Sequence, residues 1–200
     1  MMDEMKLVYI DDELDSNISR YLAKEYAHVD FAILYNEVHF KNAEGYDTLI
    51  SNPTVVEANI VLIDSKLFEN DRADTGKFSG EEFKMILKKV FPFIEVIVIT
   101  QNDLEVDYGT ISKYRGDPLE TPHQYYAKKL KNELDKAIQN ITIYRNIATK
   151  LKSNEGIDKV LIEKIISSLD GVSTYDELTT KDIDEIILAF KELQRDIDGR

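Results

Sequence analysis

The run IVLIDSK, residues 60–66, decides the fold. Ile60 to Ile63 has no polar face, so it reads as a strand buried on both sides, and it stops at Asp64. The same pattern recurs on either side. Lys6 to Ile10 is an apolar run that stops at Asp11 and Asp12, and Glu95 to Ile99 is the most apolar run and ends at Thr100. Val29 to Leu34 is a further strand, and Tyr125 to Ala127 reads as a short fifth one ending at Lys128. Helical spacing fills the gaps. Ile18, Tyr21, Leu22 and Tyr26 share a face of Ser16 to Tyr26, with Asp15 or Ser16 as cap. Glu44 to Ser51 is a weak helix that Pro53 interrupts. Phe83, Ile86, Leu87 and Val90 line one face of Gly80 to Val90. Residues 65–79 read as a polar loop, and 101–121 read weakly, with a short helix near Tyr108 to Tyr114. Apolar strands alternating with amphipathic helices predict an α/β fold, a five-stranded parallel sheet covered on both faces.

Composition narrows the classes. The chain has 200 residues, 43% hydrophobic and 32% charged, with a formal net charge of −13 and no cysteine. Disulfides, thiolate metal sites and a cysteine nucleophile are excluded. Excess negative charge repels phosphate backbones and anionic lipid, so neither nucleic acid nor membrane is expected as a partner. No apolar stretch reaches the length of a membrane span, and the start carries no basic leader. The expected location is cytoplasmic. His28, His39 and His123 are scattered without ligand spacing, and no glycine-rich phosphate loop or Ser-His-Asp order appears.

In a parallel sheet ligands bind outside the carboxyl ends of the strands. Asp11, Asp12, Asp64, Thr100 and Lys128 would therefore converge on one crevice. Carboxylates from two strands suit a hard divalent cation such as magnesium. A carboxylate can attack phosphorus to give an acyl phosphate, while an ammonium and a hydroxyl stabilise the phosphoryl oxygens. In this reading Asp64 is nucleophile and ligand, Lys128 the ammonium and Thr100 the hydroxyl.

Four motifs in order, LVYIDDE (7–13), IVLIDSK (60–66), VIVITQN (96–102) and YYAKKL (125–130), resemble the receiver domain of response regulators. The resemblance covers about two-thirds of the chain. It implies the flavodoxin-like, doubly wound sheet and a phosphoprotein of a two-component phosphorelay, charged by a histidine kinase or a small phosphodonor. It also implies Mg2+ at Asp11, Asp12, Asp64 and the backbone carbonyl of Lys66, phosphorylation on Asp64, and a switch formed by Thr100 and Tyr125. The sequence departs from the family at Gln101, where a small residue is usual, and at Lys129, where proline is usual. A degenerate receiver that docks partners constitutively is the alternative. Turnover enzymes are not expected: a phosphatase of the haloacid dehalogenase type needs Asp-x-Asp after its first strand, and here the run is Asp11-Asp12-Glu13.

Residues 1–135 form the expected receiver-like domain and 136–200 an α-helical C-terminal extension. Leu130, Leu134, Ala137, Ile141, Tyr144, Ala148 and Leu151 alternate spacings of four and three, a seam along one long helix. Ile157 to Leu169 reads as a second helix and Asp182 to Ile197, capped by Thr180, as a third. The distal seam needs cover: the last two helices folding back, or a second protomer, the homodimer being the preferred expectation. Residues 154–200 hold twelve acids against six bases, so the extension reads as an element for protein contacts with an unidentified partner, not for DNA.

Overall fold

The computed structural model describes residues 2–41, 46–67, 80–101, 110–152 and 159–169. Strands β1 (Asp3–Asp11), β2 (Phe31–His39), β3 (Ile60–Asp64), β4 (Glu95–Thr100) and β5 (Thr110–Ser112) form one sheet in the order β2-β1-β3-β4-β5. All four pairings are parallel. This is the flavodoxin-like order, in which the winding reverses between β1 and β3 and opens a crevice at their carboxyl ends.

Alternation along the strands feeds two cores. Leu7, Tyr9, Leu62, Ile97 and Ile99 join Ile18, Tyr21, Leu22, Tyr126, Leu130 and Leu134 on one face. Val8, Ile10, Val61, Ile63, Val96 and Val98 join Leu49, Val55, Phe83 and Leu87 on the other. Because side chains repeat every second residue on a face, Tyr9 and Asp11 point the same way. With helices on both sides, β3, β4 and the second half of β1 are covered on both faces, which explains their uninterrupted apolar runs.

Helix α1 (Ser16–Arg20) begins where the Asp15 carboxylate accepts from the Asn17 and Ile18 N–H groups at 2.8 and 3.4 Å. It continues as a π-helical turn over Tyr21–Glu25. Two short helices, α2 (Tyr46–Ile50) and α3 (Pro53–Val56), precede β3. Pro53 thus does more than stop a helix. It opens the next one, behind an Asn52 carboxamide that accepts from Thr54 N at 2.9 Å. Helix α4 is Gly80–Val90, as its spacing predicts, with Phe83 and Leu87 buried.

The fifth strand differs from expectation. Tyr125, Tyr126 and Ala127 are helical, in the first turns of α5 (Pro122–Lys152), and β5 lies earlier, at Thr110–Ser112. Local chemistry explains why. The Thr121 hydroxyl accepts from Gln124 N at 3.3 Å and the Gln124 side chain accepts from Thr121 N at 2.9 Å, a reciprocal capping box with Pro122 just inside the helix. Tyr126, Leu130 and Leu134 then repeat every four residues and are fully buried.

Helix α5 runs unbroken through residue 135. Beyond the sheet its seam is covered within the chain by α6 (Lys159–Leu169), which buries Ile162 and Ile165. Phe93 also meets the ring of Tyr144 edge-on, with centroids 5.8 Å apart. The polar loop expected up to residue 79 falls largely outside the described residues, as do the turn after residue 170 and the helix from Asp182 to Ile197. The short helix expected near Tyr108 to Tyr114 is not found where that stretch is described: Thr110–Ser112, led by two β-branched residues, form β5, and Lys113 and Tyr114 lie outside any helix. No helix among the described residues is long and apolar enough to cross a membrane.

Candidate functional site

The carboxyl edge of the sheet gathers acids. Asp11 ends β1, Asp12 follows it, and Asp64 ends β3; one carboxylate oxygen from each lies within 4.8 Å of the others. Asp11 and Asp64 are buried, and Asp12 is half-buried. Thr100, at the end of β4, is buried at the same edge.

The ammonium of this site is Lys113, not Lys128. Ser112 pairs with Thr100, and the next residue, Lys113, donates its N–H to the Thr100 carbonyl at 2.6 Å. Its Nζ then reaches Asp11 Oδ2 at 2.8 Å and Asp64 Oδ1 at 2.7 Å, with the lysine side chain 6% exposed. Lys128 sits two turns into α5, 71% exposed and paired with Glu120. The assignment from sequence failed because it rested on a strand at 125–127 that is helix. With Lys113 as reference, the position three residues earlier is Thr110, so the switch role expected of Tyr125 has no structural basis. Tyr125 instead donates its hydroxyl to the Ser112 carbonyl at 2.8 Å and packs its ring on Tyr114 and Tyr126. The usable signals were the β-branched run Thr110-Ile111 leading into a lysine, and the Thr121-Pro122-His123-Gln124 helix start.

The surroundings of Asp64 fix it from several sides. Lys66 N–H donates to Asp64 Oδ2 at 2.7 Å. Ser65 N–H donates to the Ile99 carbonyl at 2.7 Å, and the Ser65 carbonyl accepts from Gly80 N at 2.8 Å. The Ser65 hydroxyl donates to the Glu81 carboxylate, 3.1 Å from its nearer oxygen. Gly80 is obligatory here, since a Cβ at this position would lie 2.5 Å from the Asp64 carbonyl oxygen. Helix α4 therefore starts in direct contact with the backbone of Asp64.

Asp11 is held as firmly. Its Oδ2 receives both Lys113 Nζ and the hydroxyl of Tyr9, and its Oδ1 accepts from Glu13 N at 3.1 Å. Sequence reasoning missed Tyr9, which it took for a core aromatic; the clue was its place two residues before Asp11 on the same strand face.

Electrostatics follow burial and pairing. Burial raises the Asp64 carboxyl above its usual range, and the Lys113 ammonium only partly offsets this. Burial also works against the Lys113 ammonium, but the hydrogen bonds it donates to Asp11 and Asp64 outweigh it and raise the group above its ordinary value. Burial, then the charge of Asp11, push the Tyr9 phenol far up, so it stays protonated and donates. Three carboxylates against one ammonium leave a negative pocket of hard oxygen donors. That donor set fits a divalent cation such as Mg2+.

The strand order and this arrangement of acids and lysine decide the architecture. The chain has the flavodoxin-like fold. No protein-family model and no curated protein matches the sequence. Solved structures with some likeness to it include a two-component transcriptional regulator AraC from Clostridium phytofermentans, 14% identical, covering 71% of this chain and 98% of that one at a TM-score of 0.39. RcsB from Salmonella enterica serovar Typhimurium, bound to promoter rprA with the phosphomimetic BeF3−, is 19% identical, covering 68% and 97% at a TM-score of 0.39. A structure of two RcsB dimers on two parallel DNAs is 18% identical, covering 83% and 88% at 0.41. Likeness this weak carries no argument about the activity of this chain. It does correct one expectation: RcsB is seen on promoter DNA, so the exclusion of nucleic acid drawn from net charge is withdrawn. Charge summed over a chain does not fix the sign of each face.

Proposed function

We propose that the chain is a phospho-acceptor receiver of a two-component-type pathway, taking a phosphoryl group on Asp64. The observation that carries this reading is the Lys113 ammonium bridging Asp11 and Asp64, with Asp12 beside them at the carboxyl edge of β1 and β3. In the reaction one oxygen of the Asp64 carboxylate bonds to phosphorus as the bond from phosphorus to the leaving group breaks. The electron pair departs with that group, acetate from acetyl phosphate or the imidazole of a phosphohistidine. Asp11, Asp12, Asp64 and the carbonyl of Lys66 would hold Mg2+, which when bound supplies charge neutralisation at the phosphoryl oxygens. Lys113 would pair with a phosphoryl oxygen, and Thr100 would offer its hydroxyl to another. The chain modifies itself and is read as a signalling protein, not a turnover enzyme.

The test is intact mass after incubation with acetyl phosphate and Mg2+. A single added phosphoryl group that needs Mg2+ and is absent from Asp64→Ala is the expected result. No adduct, together with no Mg2+-dependent uptake of beryllofluoride, would sink the reading.

A further inference from the structure

Tyr9 is an unusual group to find in this place. It is fully buried in the core between the sheet and α5, yet its hydroxyl reaches the acidic edge and donates to Asp11 Oδ2. The same hydroxyl accepts from Asp15 N at 3.3 Å, at the cap of α1. Asp11 Oδ2 thus has two donors, one movable and charged, Lys113, and one fixed and neutral, Tyr9.

This redundancy matters when the acceptor is loaded. Lys113 divides its protons between Asp11 and Asp64. A phosphoryl group on Asp64 replaces one buried negative charge with a larger one, and the ammonium follows it. Asp11, itself 1% exposed, would then lose its strongest donor at Oδ2. A carboxylate held by one donor fewer is aimed less firmly at the cation it would share with Asp64. On the assumption that the acceptor reading above is correct, we propose that Tyr9 is a positioning residue whose hydroxyl keeps Asp11 aimed at the shared cation when Lys113 turns to the phosphoryl group, selectively stabilising the phosphorylated state.

The selectivity separates this role from a merely structural one. Before phosphorylation Lys113 still serves Asp11, so loss of the hydroxyl has little effect. Afterwards Tyr9 is the donor that remains at Oδ2. Tyr9→Phe keeps the ring and the packing. Tyr21→Phe removes a hydroxyl from the same core away from Asp11 and serves as the control.

The experiment is calorimetric titration of the full chain, first with Mg2+ alone and then with beryllofluoride in saturating Mg2+. Tyr9→Phe is expected to bind Mg2+ within about twofold of wild type but to bind beryllofluoride roughly tenfold more weakly. Its phosphorylated form should lose phosphate correspondingly faster, while Tyr21→Phe matches wild type. The proposal is overturned if Tyr9→Phe binds beryllofluoride like wild type, if both ligands weaken equally, or if Tyr21→Phe shows the same loss. Failure of wild type itself to bind beryllofluoride would overturn the acceptor reading, and this inference with it.

Discussion

Lys113 neutralises two buried carboxylates at once, and few side chains in the molecule would be missed as sharply. Lys113→Ala leaves Asp11 and Asp64 without their shared cation, a change expected to cost about 3–5 kcal/mol and to abolish phosphorylation. Lys128→Ala removes an exposed partner of Glu120 and should alter stability by no more than about 0.5 kcal/mol, with phosphorylation intact. Urea unfolding and intact mass on the two variants decide which lysine belongs to the site. Asp64 itself opposes folding while charged, because burial raises its carboxyl above the unfolded value. The folded protein binds that proton more tightly than the unfolded chain, so the opposition is complete above the folded value and disappears below the ordinary carboxylate range. Asp64→Asn should therefore unfold at higher urea than wild type at about pH 7, with the advantage vanishing near about pH 3.

Among the elements, α4 begins in direct contact with the end of β3 at Asp64. Its first residue touches the Asp64 carbonyl, its second receives the Ser65 hydroxyl, and no side chain fits between them. Gly80→Ala must push the helix or the end of β3 aside, at a cost of roughly 1–3 kcal/mol, and should slow phosphorylation as well. Thermal melts and time-resolved intact mass check both. Elements with continuous apolar character were legible in the sequence. The runs before Asp11, Asp64 and Thr100 announced β1, β3 and β4 together with the acids they deliver. β5 was not legible in the same way, since Thr110-Ile111-Ser112 is too short and too polar to stand out. The two tyrosines at 125 and 126 imitated a strand, and only the capping box before them shows that they open a helix. β2 was placed too early, beginning at Phe31 instead of Val29 and running on to His39; as an edge strand it mixes exposed and half-buried residues and lacks a clean apolar run.

At the scale of the whole molecule, the acidic edge joins parts of the chain that are far apart in sequence. Asp11, Asp64 and Lys113 come from three different strand ends, and this meeting exists only in the folded state. A cation held there stabilises folding by about 2.7 kcal/mol when present at a hundredfold excess over its dissociation constant. Mg2+ should raise the melting temperature, a chelator should reverse the gain, and Asp12→Asn should diminish it. The sequence showed that the distal face of α5 needed cover and favoured a second protomer over the chain's own last helices, a choice that an apolar stripe cannot settle because it does not name its partner. The fold supplies α6 from the same chain, through Ile162 and Ile165. That long helix has a further consequence. It spans 31 residues with no glycine, and no proline after Pro122, so it is a rod of about 46 Å without a hinge. One end rests on the residue before Lys113 through the Tyr125 hydroxyl, and the other carries α6. Tilting such a rod by about three degrees at its first turn sweeps the far end through roughly 2 Å. Mechanically α5 is a lever with its short arm beside Lys113, and an adjustment too slight to disturb the sheet would be magnified at its tip.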